Sequence, residues 1–209
     1  SKIRLGTGIT LVPQRHPMIL AKEVAALDFH SGGRFIFGIG TGWLREAVEL
    51  FGADFPRRWT QTREALDAMK AVWSNEIGEF HGKYYDIPPV RVFPKPAQKP
   101  YPPIVIGGAA KRVMERIVQH ADGWLPNRVT PEDLKDHRAE LDRLATEAGR
   151  DPKTIKIHVY GQEPDRALAE ALTAAGADEV IIRPRHVETE AQMDEQLQEI
   201  AEKLIDRDG

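Results

Sequence analysis

Short β-rich runs alternate with amphipathic helical stretches along almost the whole chain, and no other feature narrows the possible folds as far. Strands that run parallel need a long crossover between them, which a helix supplies. The alternation therefore predicts an α/β fold built on a parallel sheet. Six strand–helix units can be counted, with strands expected over residues 3–10, 34–39, 104–106, 123–125, 155–160 and 179–182. The first helix should open near His16-Pro17, because proline suits the first helical turn. Its apolar stripe is Leu20, Val24 and Leu27, and Ser31-Gly32-Gly33 stops it.

The helices that follow are marked in similar ways. A short one is expected over residues 44–51, and past Pro56 a longer one carries Thr62, Leu66, Met69 and Trp73. Val113, Ile117 and Ala121 mark another. Thr130-Pro131-Glu132-Asp133 combines a capping hydroxyl, a first-turn proline and acids at the positive helix end. That helix presents Leu134, Leu141 and Leu144. The next, over residues 165–175, ends at Gly176, and Met193, Leu197, Ile200 and Leu204 form the stripe of the last. Residues 76–103 break the rhythm with a hairpin around Gly82 and a proline-rich stretch, read as an excursion within a single domain over residues 1–209. Six parallel strands suit an open doubly wound sheet or part of a barrel, and periodicity does not choose between them.

Composition excludes several classes. At 209 residues the chain is slightly short of the roughly 250 typical of an eight-fold α/β barrel. The net charge is -3 with both signs interleaved, so no basic stripe points to nucleic acid. There is no cysteine, which removes disulfides, thiolate metal sites and cysteine nucleophiles and fits a cytoplasmic protein. No apolar run approaches the roughly 20 residues that span a bilayer, so no membrane partner is expected. The chain opens almost directly into a strand, with neither leader nor initiator Met, as expected of a trimmed or partial chain.

Three strands run into small-residue turns: Gly6-Thr7-Gly8, Gly38-Ile39-Gly40-Thr41-Gly42 and Gly107-Gly108-Ala109-Ala110. Parallel α/β folds place ligands at the carboxyl ends of strands, where glycine lets a ligand approach the backbone. Gly107-Gly108 also precedes a helix whose free N–H groups favour an anion such as phosphate. A dinucleotide fingerprint does not fit, because its third glycine comes one residue early, at Gly42. His16 follows a strand-end loop and suits a proton donor, a substrate contact or a helix cap. Trp43 and Trp124, near strand ends, suit a planar cofactor, an apolar substrate pocket or apolar packing. Arg128, Arg183 and Arg185 follow strand ends and suit anions or solvent. The other histidines lack metal-ligand spacing, and neither H-E-x-x-H nor G-x-S-x-G occurs. No metal is expected.

Several stretches resemble the luciferase-like monooxygenase superfamily. They are Ile3-Arg4-Leu5-Gly6-Thr7-Gly8-Ile9, Arg15-His16-Pro17, Leu27-Asp28, Ser31-Gly32-Gly33-Arg34, Gly38-Ile39-Gly40-Thr41-Gly42-Trp43, the run from Phe80 to Tyr85, Pro94-Lys95-Pro96, the run from Pro102 to Gly108, and Asp122-Gly123-Trp124-Leu125-Pro126. Their order and spacing look most like the F420-dependent branch. The resemblance implies a (β/α)8 TIM barrel, incomplete here because the family's chains begin with two further strands. It implies a non-proline cis peptide at Gly8-Ile9 backing the deazaflavin ring, so that Gly8, Ile9 and Thr10 meet the cofactor. Gly40, Thr41 and Gly42 would lie along the cofactor, and Gly107, Gly108 and Ala109 would meet its phosphate.

His16 and Trp43, by their places near strand ends, are the candidate substrate contacts. The family's sugar-phosphate dehydrogenases carry Glu where Trp43 stands, so that activity is not implied. The catalytic residues are unassigned, because the two further strands normally supply the acidic and histidine groups beside the ring. The implied function is an oxidoreductase moving hydride between F420 and a small organic substrate, acting as a homodimer. The alternatives are an FMN-dependent monooxygenase and a non-catalytic flavin-binding or structural relative.

Overall fold

A computed structural model describes residues 2–205, and Ser1 and residues 206–209 lie outside it. The chain forms two compact units that meet in sequence between Gly107 and Gly108.

The first unit contains strands β1 (Leu5–Gly6), β2 (Thr10–Leu11), β3 (Phe35–Gly40) and β6 (Ile104–Gly107), and helices α1 (Pro17–Ser31), α2 (Arg45–Leu50) and α3 (Arg58–Ser74). A hairpin of β4 (Gly78–His81) and β5 (Asp86–Val90) lies between α3 and β6 in sequence. Strands β1, β2 and β6 all pair with β3 in parallel.

The expected single strand over residues 3–10 is therefore two short pieces. Gly6 pairs with Ile36 and Thr10 with Ile39, so the first segment takes four residue steps where β3 takes three. The extra residue lifts Gly8 and Ile9 off the ladder, while the Thr7 N–H still donates to the Ile36 carbonyl, and the Gly8–Ile9 peptide is cis, as the resemblance implied. Thr7 stays tied to β3 through its hydroxyl, which donates to the Gly38 carbonyl at 2.7 Å.

Helix α1 starts and stops as expected. Gly32 takes the left-handed conformation, and the Gly33 N–H donates to the Asp28 carbonyl. Its buried face is Leu20, Ala21, Val24, Ala25 and Asp28. Leu27 is 48% exposed, a correction to the expected stripe. Facing residues of α3 (Ala65, Leu66, Met69, Val72 and Trp73) close the core over Phe37 and Ile39 of β3. Each large side chain so buried contributes about 2 kcal/mol. The Trp73 indole meets Phe37 edge-on and donates to the Ala21 carbonyl at 2.9 Å.

The proline-rich excursion is anchored by polar groups that its sequence does not advertise. Asp28 is fully buried, and its two carboxylate oxygens accept from the backbone N–H and the side-chain amide of Gln98, at 2.8 and 2.7 Å. Lys95 donates to the carbonyls of Val72 and Asn75, caps the end of α3, and is held below the usual lysine range chiefly by burial, then by Lys99. The hairpin is held to α3, where the buried Glu64 carboxylate accepts from the Tyr84 N–H at 2.7 Å.

The second unit contains helices α4 (Val113–His120), α5 (Pro131–Glu147), α6 (Arg166–Ala174) and α7 (Glu190–Leu204). Its strands β7 (Gly123–Leu125), β8 (Lys156–Gln162) and β9 (Glu179–Ile182) pair in parallel, in that order. Ile117, Leu134, Leu141, Ile157, Val159 and Leu172 form its core. Thr130 caps α5 as expected, accepting from the Asp133 N–H. Helix α7 departs from its expected apolar face: Leu197 is 48% exposed, and Gln196 is the buried member, bound to the Arg185 backbone. No helix among the described residues is long and apolar enough to cross a membrane.

Asp28→Ala removes two charge-assisted bonds and orphans the Gln98 donors. The substitution should cost about 3 kcal/mol, read as a lower midpoint in urea denaturation, with Asp28→Asn losing less.

Candidate functional site

Gly8, Ile9 and Thr10, at the start of β2, meet the carboxyl ends of β3 and β6, and one side chain organises them. Ile9 leaves the ladder and lies across the ends of β3 and β6. A Cβ placed on Gly40 would come within 2.1 Å of Ile9 Cδ1, and one on Gly107 within 2.8 Å of Ile9 Cγ2. Gly38 leaves room for the chain before Ile9, since its Cβ would meet the Thr7 carbonyl oxygen at 1.8 Å. The room that these glycines make is thus filled from within the chain by Ile9. Ile9 itself keeps 37% of its surface exposed, so an apolar ledge caps the strand ends. Gly8 has open space where a Cβ would point, and Thr10 is part-buried on β2.

Past β3 the chain is fixed by packing. Gly42 is left-handed, and its Cβ position lies 2.7 Å from Val48 of α2. Arg58 at the start of α3 donates to the Gly42 carbonyl at 3.0 Å and to the Phe55 carbonyl at 2.7 Å, with its guanidinium over the Phe55 ring. This clamp escaped the sequence reading, because nothing in the Arg57-Arg58 pair indicates its partners. Thr41 is part-buried and Trp43 is 85% exposed. An indole so open has a whole face available to a ligand.

His16 caps α1: its Nδ1 accepts from the Met18 N–H at 3.3 Å. A neutral ring with Nδ1 accepting carries its proton on Nε2, which leaves Nε2 as a donor. The ring meets Tyr85 edge-on at 6.2 Å. Burial, and secondarily the Glu64 charge, raise the Tyr85 phenol above its ordinary value, so it stays protonated and able to donate.

In the second unit, Gly108 is left-handed with open space at its Cβ position, and Ala109 is exposed. The buried Trp124 indole donates to the Gly108 carbonyl at 2.8 Å, and the Gly108 N–H donates to the Leu125 carbonyl. Trp124 is therefore a packing residue that holds the turn. Helix α4 begins behind this turn with no side-chain cap, whereas α5, α6 and α7 are capped by Thr130, Asp165 and Thr189. The Val113 N–H is taken by the Ala110 carbonyl at 2.9 Å, which leaves the N–H groups of Met114 and Glu115 without a side-chain cap and able to meet an anion. Arg128 and Arg183 are exposed, and Arg185 pairs with Glu199 at 3.5 Å. Among the described residues no group of three His, Asp or Glu side chains is placed to hold a metal.

The family model described as Luciferase-like monooxygenase matches residues 1–207. An uncharacterized protein of Mycobacterium tuberculosis is 35% identical over 164 residues, covering 76% of this chain and 57% of that protein. The FMNH(2)-dependent dimethylsulfone monooxygenase of Pseudomonas putida is 26% identical over 175 residues, covering 78% of this chain and 47% of that one. Among solved structures, the coenzyme F420 dependent tetrahydromethanopterin reductase of Methanopyrus kandleri matches with a TM-score of 0.66 and 27% identity, covering 79% of this chain and 52% of that one. The chain thus spans about half the length of these relatives.

The Ile9 ledge makes a specific stability prediction. Gly40→Ala meets only the mobile end of Ile9 and should cost about 1 kcal/mol, a cost that Ile9→Ala relieves in the double variant. Gly38→Ala meets backbone and should lower the melting temperature considerably further in thermal denaturation.

Proposed function

Because the chain belongs to the luciferase-like monooxygenase family and carries six strand–helix units of that family's incomplete TIM barrel, we propose that it is an oxidoreductase using F420 for hydride transfer to or from a small organic substrate. The observation that carries this reading is the Ile9 ledge, an exposed apolar surface at the strand ends where this fold binds ligands. Such a ledge suits one face of a planar tricyclic ring. The F420-dependent reductase at 27% identity supports the choice of cofactor.

The residues present fit such a group. Ile9 and the Gly8–Ile9 backbone would support the ring, with Thr10, Gly40, Thr41 and Gly42 beside it. Within the second unit, Gly108, Ala109 and the start of α4 have the backbone N–H groups and the positive helix end that suit a phosphate. Bound F420 supplies the hydride chemistry, and the protein's part is to hold and polarise the reacting groups. The exposed indole of Trp43 provides an apolar wall for substrate and sheds water from it. His16, through Nε2–H, donates a hydrogen bond to a polar substrate atom. A second reading, an FMN-dependent monooxygenase, is favoured by the FMNH(2)-dependent relative at 26% identity. Both cofactors present a tricyclic ring and a phosphate, which the same residues would serve.

Fluorescence titration with F420 and FMN in parallel separates the readings. The expected result is tighter binding of F420, with Trp43→Ala leaving cofactor affinity within about twofold and lowering substrate affinity about tenfold, one lost contact of about 1.4 kcal/mol. Tighter FMN binding moves the assignment to the monooxygenase. Binding of neither cofactor overturns both.

A further inference from the structure

Among the described residues, one buried side-chain polar atom has no hydrogen-bond partner: Nε2 of Gln162. Gln162 is the last residue of β8, at the carboxyl end of the strand, and is 6% exposed. A buried donor left unpaired costs about 1–3 kcal/mol, and native structures rarely carry one without a reason. The same strand pair satisfies its other buried polar side chain: His158 Nδ1 lies 2.6 Å from Glu179 Oε2. The unpaired amide is therefore not a general looseness of this sheet.

The backbone around Gln162 is built to place it. The register of β8 against β9 shifts between Tyr160 and Gln162, because Gly161 is an extra residue in the left-handed conformation. Asn127 sits on that glycine, its Oδ1 2.5 Å from where a Cβ would stand, so no other residue fits position 161 without moving Asn127. The Gln162 carbonyl is fixed separately, accepting from the Arg183 N–H at 3.0 Å. The bulge thus fixes the backbone of Gln162 at the end of the strand where this fold takes its ligands.

We infer that Gln162 is a ligand-binding residue whose side-chain N–H donates to a neutral carbonyl oxygen of the bound small molecule. A carboxamide carries no charge, and the arginines flanking it, Arg128 and Arg183, are exposed. An anion at Gln162 would therefore have no buried counter-charge, whereas a carbonyl needs none. Two sources present that chemistry: the pyrimidinedione carbonyls of a flavin or deazaflavin ring, and a ketone or aldehyde substrate. The inference rests on the proposed function only for the choice of probes.

The test follows the Gln162 side-chain NH2 pair in 15N–1H spectra, identified by its loss in Gln162→Met, an apolar substitution of similar shape. On titration with F420 or FMN one proton of the pair should move downfield. Gln162→Met should weaken cofactor binding about tenfold, while its melting temperature without ligand equals or exceeds that of the wild type. If the cofactor binds both proteins equally and the pair moves only when cyclohexanone is added to the complex, the acceptor is the substrate's carbonyl and the inference stands. If neither cofactor binds the wild type, the cofactor reading fails alone, and movement on adding cyclohexanone by itself still supports Gln162 as a ligand contact. A pair that stays still with every probe overturns the inference. So does a Gln162→Met protein that melts well below wild type with unchanged ligand affinity.

Discussion

The seating of Ile9 on glycine is the constraint from which the candidate site in the first unit follows. Strand β3 presents no side chain at 38 or 40, and β6 presents none at 107, so a segment that has left the ladder can lie back across their ends. Each glycine answers a specific atom: the Thr7 carbonyl at Gly38, and Ile9 carbons at Gly40 and Gly107. The extra residue between Gly6 and Thr10 lifts Ile9, and the Thr7 hydroxyl keeps the lifted segment from drifting. The result is an apolar ledge whose position is set by backbone contacts, which is the rigidity that a site for a planar ligand requires.

Other parts of the molecule hold this arrangement in place through polar groups buried against backbone. Asp28 ties the proline-rich stretch before β6 to α1, Lys95 ties it to the end of α3, and Arg58 ties the loop after β3 to the start of α3. Each bridges segments far apart in sequence. Irregular chain, which has no ladder to satisfy its backbone groups, is thereby fixed in one conformation.

Much of the element order was legible in the sequence, because strand runs and helix caps are local signals. Pro17, Gly32 and Thr130 mark helix ends through their own backbone chemistry and stand where expected. What is set by distant partners was not legible. Nothing local shows that residues 3–10 break into two strands, since the break depends on register with β3. The glycines at 40 and 107 read as room for a ligand, and that room is taken by Ile9. Leu27 and Leu197 read as core from their spacing but sit toward solvent, since a stripe does not reveal which of its edges a neighbour covers. Gln162 gave no signal at all, because an unpaired amide is a property of its surroundings.

A crystal structure of the chain with bound F420 or FMN would show whether Ile9 forms the floor of a cofactor site. One face of the ring should lie in van der Waals contact with Ile9, at roughly 3.5–4 Å, across the ends of β3 and β6. A ring bound elsewhere, with Ile9 still open to solvent, would contradict it.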